Sequence, residues 1–248
     1  MGENMDKDNV FKKKMKEVPP FTFNEEVTRV FDDMLNRSVP LYRQGIKMTA
    51  KLARTLYQEG TCVYDLGCSH GNLGITLLDI FEDIPFKMIG IDSSEPMIDK
   101  YLQRLKQRQI PGDVQLFCDR IENIGIDNAS VVVINLTLQF LEPSVRDRVI
   151  TRVFEGLNPG GVLLLTEKIV HQDLGYTDFQ NEFYQSFKLE NGYSRLEISQ
   201  KRDALEKVLI PETVEAHEKR IRNAGFVFFD IWLKWFNFAS MIAFKQDG

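Results

Sequence analysis

The chain is short of cysteine, has no excess of positive charge and contains no long apolar run, and each absence removes a class of function. Cys62, Cys68 and Cys118 are three cysteines in 248 residues, without the even count or close pairing of a disulfide framework or a zinc site. A reducing, cytoplasmic setting is expected, and no metal. Lys and Arg total 31 against 36 Asp and Glu, a net charge of −5. No global field therefore draws in a phosphate backbone or an anionic membrane, and direct nucleic-acid binding is not expected. Even "VVVINLTLQFL" is broken by Asn135, Thr137 and Gln139, well short of the roughly 18 apolar residues a membrane span needs. The opening "MGENMDKDNVFKKKMKEVPPFTF" has no signal-peptide apolar core, and Asp6 stands where a myristoylation motif wants Ser or Thr. Residues 1–22 read as a flexible lead-in, and no internal repeat or low-complexity segment follows.

What is present suits one domain over residues 23–248: 43% hydrophobic and 27% charged residues can bury one substantial core, not two large ones. Residues 24–57 predict two amphipathic helices split at "SVP", because Pro40 disfavours helix at Val39 and can itself begin the next one. From residue 61, short apolar strands ("CVYDLG", "KMIGID", "VQLFC", "VVVINL", "GVLLLTE") alternate with helices, the pattern of βαβ units around a parallel sheet covered on both faces. Residues 170–224 read as a helical insertion, and "FVFFDIWLKWFNFASMIAFK" as an antiparallel strand pair bending near "KWFN". The fold class is α/β, doubly wound and mostly parallel.

The chemistry is expected at the first βα junction, "VYDLGCSHGNLG". Gly67 and Gly71 permit a tight turn, and the helix behind it offers unpaired N–H groups. Asp92 follows Gly67 by 25 positions, where an acid can accept both hydroxyls of an adenosine ribose; the bland alternative is a helix N-cap, a role Ser93 or Ser94 could fill. Asp119 and Asn135 end the next two strands on the same rim, Asp119 within reach of an adenine amino group, Asn135 as a ligand or as a satisfied core amide. Ser69 stands where a dinucleotide loop needs its second glycine, which argues for a nucleotide without phosphates. His70 is a weak candidate proton carrier, while His171 and His217 read as solvated surface residues. Arg202, closing "SRLEISQKR", reads on pattern alone as a helix surface charge.

These segments resemble the class I S-adenosylmethionine-dependent methyltransferase fold and, within it, the carboxy-S-adenosyl-L-methionine synthase family. The likeness rests on "FDDMLNRSVPLY", "VYDLGCS", "IGIDSSEPMI", "NASVVVINLTLQFLEP", "GLNPGGVLLLTEK", "NGYSRLEISQKR" and "FNFASMIAFK", and covers about residues 21–245. It implies a homodimer that combines S-adenosyl-L-methionine with prephenate, releasing phenylpyruvate and water and forming carboxy-S-adenosyl-L-methionine. A tRNA carboxymethyltransferase partner would use that product to make 5-oxyacetyluridine at the wobble position. By resemblance, cofactor contacts fall to Tyr42, Gly67, Cys68, Ser69, Asp92, Ser93, Asp119, Arg120, Asn135 and Arg202. Tyr42 and Arg202 would also serve catalysis, Arg202 by holding the product's carboxylate in a bidentate fork that Lys201 could not reproduce. Two positions depart from the family's habit: Ser93 where Asn is common, and Arg120 where a small aliphatic is common. Contact at position 120 is expected from the backbone N–H, with the Arg120 side chain a second anion partner if it turns inward. Lys168, Tyr193 and Arg195 join Arg202 as candidates to meet prephenate. A conventional methyltransferase and a non-catalytic S-adenosylmethionine-binding protein are the alternatives.

Overall fold

A computed structural model describes residues 6–82, 84–108 and 113–247. Helix α1 (Glu25–Ser38) starts where Asn24 Oδ1 accepts Val27 N–H at 3.0 Å, and stops at Val39, which is extended as a residue before proline should be. Helix α2 (Tyr42–Leu56) then begins behind Leu41, whose backbone is left-handed at φ 56°. The kink aims Tyr42 back toward the sheet.

Strands and helices alternate from there: β1 (Cys62–Leu66), α3 (Asn72–Phe81), β2 (Lys87–Asp92), α4 (Glu95–Lys106), β3 (Asp113–Cys118), β4 (Ala129–Asn135), α5 (Pro143–Gly156) and β5 (Leu157–Lys168). Helices α6 (Leu174–Glu190), α7 (Arg195–Leu205) and α8 (Val214–Ala224) precede β6 (Phe228–Trp235) and β7 (Phe238–Phe244). The seven-stranded sheet runs β3-β2-β1-β4-β5-β7-β6, with β7 antiparallel to both neighbours and the rest parallel. The expected doubly wound sheet and its antiparallel end are both present. Strand order reverses between β1 and β4, so a crevice opens outside their carboxyl ends.

Alternation along the strands separates two cores. Val131 and Val133 of β4 face α2, α3 and α4 through Ala50, Leu77 and Tyr101; Val132 and Ile134 face α5 and α8 through Ile150 and Ile221. The predicted insertion therefore divides: α8 is a layer helix of the sheet, and α6 and α7 wall the crevice. His217 of α8 is a correction, since it is buried rather than solvated, 3.4 Å from an Arg220 nitrogen. Burial, then the Arg220 charge, push its pKa down to about 4. His171 likewise is half-buried, its ring 4.8 Å from that of Tyr176.

A third core joins the lead-in to α1, α4 and α7 through Phe11, Phe21, Val30, Phe31, Met97 and Ala204. Residues 1–5 of the lead-in lie outside the described residues. The part expected to be flexible is pinned from Asp8 onward: Asp8 N–H donates to Asp33 Oδ2 at 2.7 Å, Asp8 O accepts from Arg37, and Phe21 N–H donates to Ala204 O at 3.0 Å. Gln200 of α7 completes the strap, its amide donating to Phe11 O and Lys13 O while its carbonyl accepts Met15 N–H. Apolar anchors at Phe11 and Phe21 outweigh the low helix and strand propensity of this charged segment.

Candidate functional site

The turn after β1 is built by three constraints. Gly67 takes φ +85°, and a Cβ there would meet Thr137 Oγ1 at 2.1 Å, so only glycine fits. Its N–H and that of Cys68 both donate to Ile91 O, at 2.8 and 2.9 Å, which ties the loop to β2. Ser69, left-handed at φ 46°, sends its N–H to Asp92 Oδ2 at 2.8 Å. Asp92 Oδ1 accepts Ser94 N–H at 2.9 Å, while Ser94 Oγ caps α4 by accepting Met97 N–H. Asp92 is thus a clamp between the two loops rather than the helix cap.

These loops line a cavity of about 970 Å³ whose walls include Tyr42, Gly67, Cys68, Ser69, Asp92, Ser93, Arg120, Asn135 and Arg202. Nine of the ten candidate positions thereby meet. Asp119 is the exception: it stands beside the cavity, its Oδ1 accepting Arg120 N–H at 2.7 Å and Asn123 Nδ2 at 2.8 Å. The Arg120 N–H expected to contact a ligand is thus engaged by Asp119. The Arg120 side chain turns outward to Glu122 at 2.5 Å and is no second anion partner. Burial pushes the Cys68 thiol well above its ordinary pKa, consistent with a backbone role and not a thiolate nucleophile.

Two polar clusters escaped the sequence. Asp65, near the carboxyl end of apolar β1, is 2% exposed, and its Oδ2 has no hydrogen-bond partner. Burial and then the Asp92 charge raise its pKa to about 7, so a cationic ligand atom would relieve it. An acid inside "CVYDLG" was the available signal. Around Tyr42, Asn72 Nδ2 donates to the tyrosine hydroxyl at 3.1 Å and to Asp32 Oδ1 at 2.7 Å, while Arg104 donates to Asn72 Oδ1 and His70 O, each at 2.8 Å. His70 Nε2 lies 3.5 Å from Asp32 Oδ1, so this histidine belongs to the scaffold of the loop.

The far end of the cavity has an excess of basic groups, although Asp178, Glu182 and Glu206 line it too. Lys168, Lys188, Arg195, Lys201 and Arg202 all line it, with Tyr184 and Ser38 among them. Lys201 Nζ donates to Ser38 Oγ at 3.0 Å, and Tyr184 donates to Ser38 O at 2.7 Å. Arg202 is well exposed and pairs with Asp203 at 3.0 Å. Tyr193 does not line the cavity; its hydroxyl bonds Asp8 and its ring lies 3.8 Å below the Arg37 guanidinium. Among the described residues no group of three or more His, Cys, Asp and Glu is placed to hold a metal, and no helix is long and apolar enough to cross a membrane.

The chain is similar to known proteins in sequence and in fold. A family model described as a methyltransferase domain matches residues 63–161, from β1 into β5. A carboxy-S-adenosyl-L-methionine synthase of Desulforapulum autotrophicum is 54% identical over 98% of this chain and 98% of that protein. One of Haemophilus ducreyi is 41% identical over 98% of this chain and all of that protein. Among solved structures, an O-methyltransferase family protein of Burkholderia thailandensis superposes with TM-score 0.64 at 16% identity, over 94% of this chain and 66% of that one. Human N-acetylserotonin methyltransferase, in complex with S-adenosylmethionine, superposes at 0.61 and 12% identity; this chain covers 55% of its length and 90% of its own. At such identities the structures establish the Rossmann-like methyltransferase fold and nothing further.

Proposed function

The chain belongs to the carboxy-S-adenosyl-L-methionine synthase family, and from that premise we propose that it is a transferase moving one carboxyl group of prephenate onto the methyl carbon of S-adenosyl-L-methionine. The observation that carries this reading is a single cavity with an acidic end at the strand tips, Asp65 and Asp92, and a cationic end at α6 and α7. A sulfonium amino acid carries positive charge and ribose hydroxyls, which suit the first end; a dicarboxylate suits the second. After β4 the chain reads "NLTLQF", with no clamp for an amine acceptor of a methyl group.

The reaction balances with little chemistry from the protein. Prephenate loses its ring carboxylate as CO2 and its ring hydroxyl as hydroxide, becoming phenylpyruvate. The hydroxide removes a proton from the sulfonium methyl, giving water and an ylide, and the ylide carbon bonds to CO2. The protein contributes alignment and charge. Tyr42 closes the cofactor end, and Arg202 offers two parallel N–H donors to the new carboxylate.

The product would feed carboxymethylation of a tRNA wobble uridine by a partner enzyme, and the chain would work as a homodimer. The exposed apolar side chains Phe179 and Phe183, one turn apart on α6, support the dimer, which light scattering tests. The decisive assay incubates the protein with S-adenosyl-L-methionine and prephenate. Phenylpyruvate and a sulfonium heavier by one CO2 are expected; methylation of a third compound instead would favour a conventional methyltransferase.

A further inference from the structure

Prephenate, the substrate of the proposed reaction, carries two carboxylates with different fates, and a subsite for the second of them rests on that reading of the function. One carboxylate moves to the cofactor carbon, where Arg202 is available. The other stays on the pyruvyl side chain, leaves with phenylpyruvate, and needs a counter-charge of its own.

Two half-buried ammonium groups have no assigned partner. Lys168 ends β5 and Lys188 sits in the last turn of α6, twenty positions apart in sequence. Folding brings both over one ring, their Nζ atoms 5.2 and 4.2 Å from the centroid of Tyr184. That ring is fixed, because its hydroxyl donates to Ser38 O at 2.7 Å. Lys201 holds the neighbouring Ser38 Oγ and has Asp8 within 3.8 Å. Neither Lys168 nor Lys188 has a carboxylate within ion-pair reach among the described residues.

The charges facing Lys188 are Lys168 from β5 and Lys201 and Arg202 from α7; Asp178 and Glu182, nearer the start of its own helix, are exposed. Burial, then these like charges, lower Lys188 to about 7, and burial lowers Lys168. Holding two uncompensated ammonium groups away from water is unfavourable unless an anion binds between them.

We propose that Lys168 and Lys188, laid over Tyr184, form a carboxylate subsite separate from Arg202, which holds the 2-oxo carboxylate that the substrate retains. Two point-charge donors can each take one carboxylate oxygen, and the Tyr184 face packs against the adjoining apolar carbons. Phenylpyruvate, which carries this carboxylate and lacks the transferred one, is the probe that isolates the subsite.

The test measures phenylpyruvate affinity by calorimetry, and the KM for prephenate, in wild type and in Lys168→Met, Lys188→Met and the double variant. A tenfold or larger weakening of both is expected in each single variant, with S-adenosyl-L-methionine affinity unchanged and partial recovery in Lys188→Arg. Wild-type binding of phenylpyruvate should also take up protons between pH 7 and 8, read from the buffer dependence of the binding heat. This second measurement needs no variant to fold. Unchanged phenylpyruvate affinity and prephenate KM in the double variant, or binding without proton uptake, overturns the subsite. If wild type makes no carboxylated sulfonium, the reaction reading fails separately, and phenylpyruvate binding still decides whether the two lysines hold a 2-oxo carboxylate.

Discussion

Asn72 donates to the hydroxyl of Tyr42 across 3.1 Å, so the tyrosine must direct its own proton elsewhere. The direction is set without ambiguity, because Arg104 occupies the Asn72 carbonyl oxygen and Asp32 Oδ1 accepts from the same amide nitrogen. Burial opposes charge on Asp32, but His70, Asn72 and Arg104 outweigh it and hold the carboxyl down to about 2. Burial also raises the Tyr42 phenol, which therefore stays protonated and offers a donor to the cavity it lines.

Asn72→Leu should lower kcat/KM about tenfold, the ~1.4 kcal/mol of one oriented hydrogen bond. Tyr42→Phe should cost a similar amount, and the double variant little more, since both changes remove one donor. A double-mutant cycle with coupling near zero would separate the two residues.

Arg202→Ala should leave S-adenosyl-L-methionine affinity unchanged and weaken the carboxylated sulfonium about tenfold or more, as expected for a charge-assisted pair of ~1.5–3 kcal/mol. Isothermal calorimetry with both ligands makes the comparison. Equal losses would assign Arg202 to the fold and not to the carboxylate.

Lys188→Met should stabilise the protein, with a pH dependence of defined sign. The amine falls from 10.5 unfolded to about 7 folded, so the folded state resists the proton that the unfolded state keeps. The penalty is full below pH 7 and fades as pH rises toward 10.5. Its ceiling is roughly 5 kcal/mol from the size of the shift. Urea unfolding at pH 6.5 and 9.5 should show the variant's advantage shrinking at the higher pH.

Gly67→Ala should destabilise by about 3 kcal/mol. A side chain at φ +85° costs roughly 1–2 kcal/mol, and the new Cβ lies 2.1 Å from Thr137 Oγ1 and 2.4 Å from its Cγ2. Adding Thr137→Ala relieves only the contact, so thermal melts should recover part of the loss, and cofactor affinity should follow the same order.

The cofactor end of the site was legible because its parts are local. Strand, glycine turn and helix lie within a dozen residues, and Asp92 returns one βαβ unit later at a distance the fold imposes. Asp119 shows the limit of such spacing: the strand end is where it was expected, but its carboxylate closes its own turn through Arg120 and Asn123. His217 was misread for a different reason. Its helix carries enough charge to look solvated, yet Arg220 pairs with Asp147 at 2.6 Å and Glu212 at 2.8 Å, and buries the face that carries the histidine against α5. Asp65 could have been found, since an acid among "CVYDLG" has no structural reason to be there.

The order of apolar and polar residues by itself determined the strands, the turn at Gly67 and the placement of acids at the strand tips, because hydrophobic period and glycine freedom act over a few neighbouring positions. Only tertiary structure decided the charge at the other end. Lys168 stands out only through the family likeness, and Lys188 and Lys201 carry no signal of their own in sequence; α6 and α7 fold over the crevice, shield all three partly from water and gather them along one cavity. Desolvation and like-charge repulsion depend on what surrounds a group in space, and no local pattern along the chain records that.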